Sequence, residues 1–274
     1  ALSKNVAVST GRVTQAGLSL SVSKNSLQNV IDGDTATITA RMVDRTGNAV
    51  PDGTVISFVA EGGSVTPNCA SSNGQCTVTL STQNPRPLDN RVTVLAYVEG
   101  DKSFNDLNGD NLYTAGVDAL ISNIGDFFRD DNEDKTYNAN LGEYLYKRSA
   151  GNLACALSTI TQPNVAATCD NNLDAVVRQQ LLFAFAENTP TFTNVNASGS
   201  LLSFKIFGNS ALSVPMPTGT TVNVTVEDNT KNNDLSCSSE FATGSTPVAN
   251  VFDLMTPTTF QNSTATYYGY RLKE

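Results

Sequence analysis

The chain contains no histidine and no tryptophan, and only 16% of its 274 residues are charged. Without an imidazole the usual serine and cysteine triads have no base, and a mixed Cys/His zinc site cannot form. The missing tryptophan removes the best stacking platform for a sugar, leaving eight tyrosines for any such role. No run of eighteen apolar residues occurs, so nothing reads as a membrane-spanning helix. Cations are scarce as well: 17 Lys and Arg stand against 26 Asp and Glu, which leaves no basic face for nucleic acid. The expectation is a protein that is not an enzyme. The start at Ala1 rather than Met fits removal of an export signal, and it equally fits a fragment of a longer array.

What the chain has in quantity is Thr, Ser, Asn and Val, a composition of strands and turns. Its length exceeds one sandwich of about 100 residues and suits two with an insert. Ala36, Ile38, Ala40 and Met42 alternate with Thr37, Thr39, Arg41 and Val43, the period of a strand with one buried face. Beyond it come a turn at Asp44–Asn48, a strand at Val55–Ala60, a break at Gly62–Gly63, and strands at Thr77–Leu80 and Val92–Val98. Further on, Val176–Phe185 reads as a helix or a long strand, the strand being favoured. Leu201–Phe207, Thr220–Val226 and Thr264–Leu272 read as strands, and Pro215 and Pro217 mark a turn or an edge.

Five cysteines are present. Cys69 and Cys76 bracket an Asn73–Gly74 turn that brings two strand ends together, and Cys155 and Cys169 bracket a second loop. Bridges closing these loops would contribute roughly 2.5 and 3 kcal/mol in the chain-entropy model and would imply an oxidising compartment. Five reduced, buried thiols are the competing reading. Cys237 is left over, either buried or bridging to a second chain.

The acidity is local. Between Asp101 and Glu143 ten carboxylates face three cations, so this stretch carries −7 of the net −9. Within it Asp106, Asn108 and Asp110 occupy positions 1, 3 and 5 of a calcium loop of EF-hand type, with the main-chain carbonyl of Leu112 at position 7. Asp130, Asn132, Asp134 and Thr136 repeat the pattern 24 residues later. Calcium takes six to eight oxygens at about 2.3–2.6 Å, which alternate acidic and amide side chains curling round one point supply. Magnesium, which keeps its waters, is disfavoured.

The later positions depart from the EF-hand. Val117 and Leu141 stand where a bidentate Glu belongs, with Asp118 and Glu143 just beyond them as candidates and Asp126 as a further one. Asn111 and Lys135 replace the position-6 glycine. The expectation is therefore a wrapped pair of loops rather than two helix–loop–helix hands. A solvated acidic linker is the alternative, opposed by the aromatics Phe104, Tyr113, Phe127, Phe128, Tyr137 and Tyr144 interleaved with the carboxylates.

The run Asp32–Asp44, then Gly47–Phe58, Gly74–Leu80 and Arg91–Tyr97, resembles the bacterial immunoglobulin-like domains of invasin and intimin type over roughly residues 16–100. Relatives of that type carry a similar acidic insert after the last strand, which extends the likeness to about Glu143. The segment around Cys155, Cys169 and Arg178 loosely resembles the region beyond the first domain in such relatives. The resemblance implies an all-β chain: an N-terminal extension at 1–15, an immunoglobulin-like sandwich at 16–104, a calcium-binding insert at 105–147 and a second sandwich at 148–274. It also implies an extracellular or bacterial cell-surface location and a structural or adhesive role. The alternative is a filament subunit whose strand-competent segment Ala1–Gln15 adds to a neighbour's sheet; otherwise that segment is a frayed terminus or the chain's own first strand.

Overall fold

The computed structural model describes residues 11–149, 151–198 and 201–220 and the short strands at 224–225, 258–262 and 271–272. The protein is all-β: among the described residues the helical segments are the two 3₁₀ turns Gln15–Gly17 and Ala139–Leu141. It divides into two compact units. The first holds Ala1–Ser23, Thr35–Pro85 and Val92–Leu181, and the second holds Lys24–Asp34, Arg86–Arg91 and Leu182–Glu274.

The first unit is a β-sandwich. One sheet runs Leu18–Val22, Thr35–Met42, Gln75–Ser81, Ser64–Val65, every neighbour antiparallel. The other runs Asn68–Ala70, Val55–Ala60, Arg91–Asp101, and then the strand that begins at Asp174. The alternation read over 36–42 is realised: Ala36, Ile38, Ala40 and Met42 are buried, as are Ile56, Phe58, Val78 and Leu80 of the same core. Asn73 and Gly74 both take positive φ (52° and 71°), the conformation that lets a two-residue turn match the twist of its strands. The two expected disulfides are present, with Cα atoms 5.9 Å apart for Cys69–Cys76 and 5.4 Å for Cys155–Cys169. Cys237 lies outside the described residues.

One expectation changes here. Val176–Phe185, assigned to a second sandwich from 148 onward, is a strand whose first half completes the first sandwich, next to Arg91–Asp101. Residues 102–173 are therefore one excursion between two neighbouring strands, not a linker between domains. The reason is that this excursion covers the sheet's outer face. Along Arg91–Asp101 burial is almost unbroken, because Val92, Val94, Ala96 and Val98 alternate with Thr93, Leu95 and Tyr97, and Leu95 packs against Phe127 and Val176 of the excursion and its returning strand. Burying Phe127 and Phe128 fully is worth about 2–3 kcal/mol each.

In the N-terminal segment the described residues follow the reading as the chain's own first strand. Val13–Thr14 pairs in parallel with Gly100–Asp101 of the chain's own sheet, and the Gln15 amide exchanges hydrogen bonds with the main chain of Arg178 (2.6 and 3.1 Å). A Cβ on Gly100 would lie 2.2 Å from the Val13 carbonyl oxygen, so this close approach needs glycine. Residues 1–10 of the segment lie outside the described residues.

In the second unit, Thr191–Ser198, Leu201–Phe207 and Thr258–Asn262 form an antiparallel sheet. Ser26–Gln28 pairs in parallel with Ala184–Ala186; Ala184 and Ala186 make a small buried cluster with Val214. Of the strands read at 220–226 and 264–272, the described parts are Val224–Thr225 and Arg271–Leu272, which pair antiparallel. The rest of those readings lies outside the described residues.

Candidate metal centre

The acidic excursion folds into two copies of one device, a loop pinched between two short antiparallel strands. Phe104–Asn105 pairs with Ala119–Leu120 around the first loop, and Phe127–Phe128 pairs with Leu145–Tyr146 around the second. In both, the residue two before the first Asp is a Phe paired with the residue two after the closing carboxylate: Phe104 with Leu120, Phe128 with Leu145. That Phe packs on a Tyr at position 8, Tyr113 at 5.3 Å and Tyr137 at 5.9 Å between ring centroids. The motif Phe-x-Asp-x-Asn-x-Asp-x-x-Tyr stands twice in the sequence, at 104–113 and 128–137, so the aromatic pair repeats together with the acidic spacing.

The hydrogen bonds repeat as well. At position 1, Asp106 Oδ2 accepts from the NH of Asn111 (2.7 Å), and Asp130 Oδ2 accepts from that of Lys135 (2.9 Å). At position 3, Asn108 and Asn132 each accept from the NH two residues on and donate their amide to the position-5 carboxylate (3.0 Å in both). At position 5, Asp110 Oδ1 and Asp134 Oδ1 accept from the NH of Leu112 and Thr136 (2.7 Å in both).

The closing groups are Asp118 and Glu143. Each accepts from the NH of position 2, Leu107 (2.8 Å) or Asp131 (3.3 Å), and from that of position 9, Thr114 or Asn138 (2.6 Å in both). Positive φ falls at positions 4 and 6 of both loops: Gly109 and Asn111 in the first, Glu133 and Lys135 in the second. Lys135 thus adopts the left-handed turn a glycine would have made easy.

Asp126 stands outside this scheme. Its Oδ1 accepts from the NH groups of Arg148 and Ser149 (2.8 Å each), its own NH donates to Thr168 Oγ1, and its carbonyl accepts from Val165. It ties the stem of the second loop to the disulfide-closed segment 155–169. Gly125 beside it admits Thr168 at a distance no side chain would allow, since a Cβ there would lie 2.5 Å from Oγ1.

Burial varies within each loop. Asn108, Asp110, Asn132 and Asp134 are exposed. Asp118, Glu143 and Asp130 are buried at 8%, 6% and 0% exposure. Burial would raise both Asp106 and Asp134, but main-chain NH groups, helped by Arg45, outweigh it and hold Asp106 below the usual carboxylate range, and NH and amide donors do the same for Asp134. Burial, with the charges of neighbouring carboxylates, pushes Asp130 and Glu143 above their ordinary values.

Among the described residues no three Asp, Glu, Cys or His side chains converge as a ready cluster. The loop carboxylates are instead engaged by main-chain NH groups. At position 1 the loops part: Asp106 Oδ1 accepts from the NH of Gly109 (2.7 Å), whereas Asp130 Oδ1 is buried and has no hydrogen-bond partner. A buried, unsatisfied polar group costs about 1–3 kcal/mol, and more when charged. The donor set around it is oxygen only, which suits a hard cation.

The stem of the second loop rests on a buried cation. Arg178, with no exposed surface, donates to the carbonyls of Val176 (2.9 Å), Gly125 (3.2 Å) and Pro163 (3.3 Å) and to Asn164 Oδ1, and lies over the Phe127 ring at 4.9 Å. Burial draws its pKa down, and Asp126 opposes that. Lys102 and Asp170, joined at 2.5 Å and with Lys102 buried, close the base of the excursion. Comparison with known proteins gives no match to any family model, curated protein or solved structure.

Proposed function

We propose that both loops bind calcium and that the protein is an extracellular structural or adhesive cell-surface module, an immunoglobulin-like sandwich stiffened by its ions. The first loop would offer Asp106, Asn108, Asp110, the Leu112 carbonyl and Asp118. The second would offer Asp130, Asn132, Asp134, the Thr136 carbonyl and Glu143. The observation that carries this reading is the buried, unpartnered Oδ1 of Asp130 within a loop whose hydrogen bonds repeat those of its neighbour. Bound calcium replaces repulsion among the carboxylates with coordination and fixes the excursion on the sheet. Val13–Thr14, engaged in the chain's own sheet, supports a spacer more than a donor-strand subunit.

The test is calorimetric calcium titration of the chelator-treated protein, with thermal melting in excess calcium and in chelator. Two ions per chain and a higher melting temperature in calcium are expected. For an ion at about 100 times its dissociation constant, linkage adds roughly 2.7 kcal/mol. No heat of binding together with superimposable melts would remove the proposal.

A further inference from the structure

The second loop is held by the sandwich itself. Gln180 and Thr93 are 2% and 0% exposed, on the two adjacent strands Asp174–Ala186 and Arg91–Asp101. Both reach the main chain of one residue. Gln180 Oε1 accepts from the NH of Asp130 (3.0 Å), Gln180 Nε2 donates to its carbonyl (3.2 Å), and Thr93 Oγ1 donates to the same carbonyl (3.2 Å). A side-chain amide that both accepts from and donates to one peptide reproduces what a neighbouring strand would do. It leaves the Asp130 main chain fully paired and its carboxylate turned to the loop, where Oδ2 takes the NH of Lys135. Val176, Arg178 and Gln180 alternate along one face of their strand. The first two pack on Phe127, and Gln180 grips Asp130 three residues later.

The first loop is held otherwise. Asp106 meets a half-exposed guanidinium, Arg45, at 3.7 Å, and Arg45 lies over Phe104 at 4.4 Å.

We infer that Gln180 and Thr93 are positioning residues for a cation in the second loop: they fix the Asp130 backbone so that its carboxylate is presented without rearrangement. The second loop is therefore the tighter of the two sites, and its affinity is set by residues far from it in sequence. This rests on the calcium reading. Residues that orient a ligand in this way typically change metal affinity 10–100-fold when replaced.

The experiment is calcium titration by calorimetry of the full chain in two backgrounds. Asp106→Asn with Asp110→Asn weakens the first loop and isolates the second; Asp130→Asn isolates the first. In the background that reports the second loop, Gln180→Met should weaken binding about 10–100-fold. Thr93→Val should weaken it by a smaller factor, and Thr93→Ser, which keeps the hydroxyl, should match the parent. In the background that reports the first loop, Gln180→Met should leave affinity within about twofold, a split that general loosening of the sandwich would not produce.

Unchanged second-loop affinity in folded Gln180→Met, or equal weakening of both loops, overturns the inference. If Gln180→Met does not fold, unchanged affinity in Thr93→Val overturns it instead, and selective weakening there sustains it. A parent protein that takes up no calcium defeats the underlying calcium reading, and is distinguishable because no variant is needed to see it.

Discussion

The two acidic loops share the same Phe–Tyr pair, the same strand closure and most of one hydrogen-bond scheme, the exception being that Asp106 Oδ1 accepts from Gly109 where Asp130 Oδ1 has no partner, yet they stand in different surroundings. The first meets the rest of the chain through a partly exposed arginine and a Tyr113 hydroxyl donating to the Asn171 carbonyl (2.7 Å). The second is built on a buried platform of Thr93, Gln180, Arg178 and Phe127. The difference teaches that a local motif fixes how the backbone of such a loop turns, while the sheet beneath it fixes how far the loop's carboxylates are withdrawn from water.

The comparison breaks most severely at Arg178. Arg178→Met leaves the carbonyls of Gly125 and Pro163 and the Asn164 side chain without their buried donor, so a loss of about 3–5 kcal/mol is expected in urea unfolding. Limited proteolysis of that variant should cut first near the second loop's stem. Next, replacing Cys155 and Cys169 by Ser removes a cross-link spanning 14 residues in sequence, worth about 3 kcal/mol. It should lower second-loop affinity for calcium more than first-loop affinity, because Thr168 and Val165 hold Asp126 at that loop's stem. Parallel calcium titrations of the two loops check it.

Asp130→Asn is a sharper instrument. It should abolish the second loop's share of calcium stabilisation, roughly 2.7 kcal/mol at about 100 times the dissociation constant, while leaving the first loop's share in place. Melting curves with and without calcium report both. Asp110→Asn, on an exposed side chain, should change stability in chelator by less than about 0.5 kcal/mol, seen in the same melts.

A last contrast is one of pH. Asp44 offers an internal control, a carboxylate engaged much as those in the loops are but without their companions. Burial would raise it, but the NH groups of Gly11 and Asn48 and the side chains of Thr46 and Asn48 outweigh that and hold it well below the usual range. A lowered folded-state pKa means its stabilisation is complete above the unfolded value of about 4 and is lost as pH falls through the folded value. Asp44→Asn should therefore flatten the loss of stability below about pH 4, as tracked by unfolding at stepped pH, with no change in calcium response.

Much of the site was legible because its constraints are local. Alternating Asp and Asn at positions 1, 3 and 5 states a backbone that curls, and the structure brings those residues into two like-bonded loops. The odd spacing of the closing carboxylates is resolved once the loops are aligned. Asp118 lies four residues beyond Thr114, while Glu143 lies five beyond Asn138, the extra residue taken up by the 3₁₀ turn Ala139–Leu141 and by Gly142 at φ 81°. Asp126, the further candidate, is engaged at the stem of the second loop, where its Oδ1 takes the NH groups of Arg148 and Ser149. The paired aromatics could have been found by aligning the two loops on their first Asp. Thr93 and Gln180 could not, since nothing in their own neighbourhoods distinguishes them from other polar strand residues.

By itself the sequence determined the strands of the sandwich, both disulfides, the turn at Asn73–Gly74 and the loops' Asp–Asn–Asp spacing. Each depends on residues close to one another along the chain, through side-chain alternation, positive-φ turns and short loop closure. Only the tertiary structure decided that the acidic segment is an excursion within one sandwich. The same holds for the strand from Asp174, which returns beside Arg91–Asp101, and for the second loop, which rests on that strand's polar face. Those outcomes depend on which buried surface covers which. The energy of covering is summed over residues far apart in the chain, a separation at which no local pattern carries information.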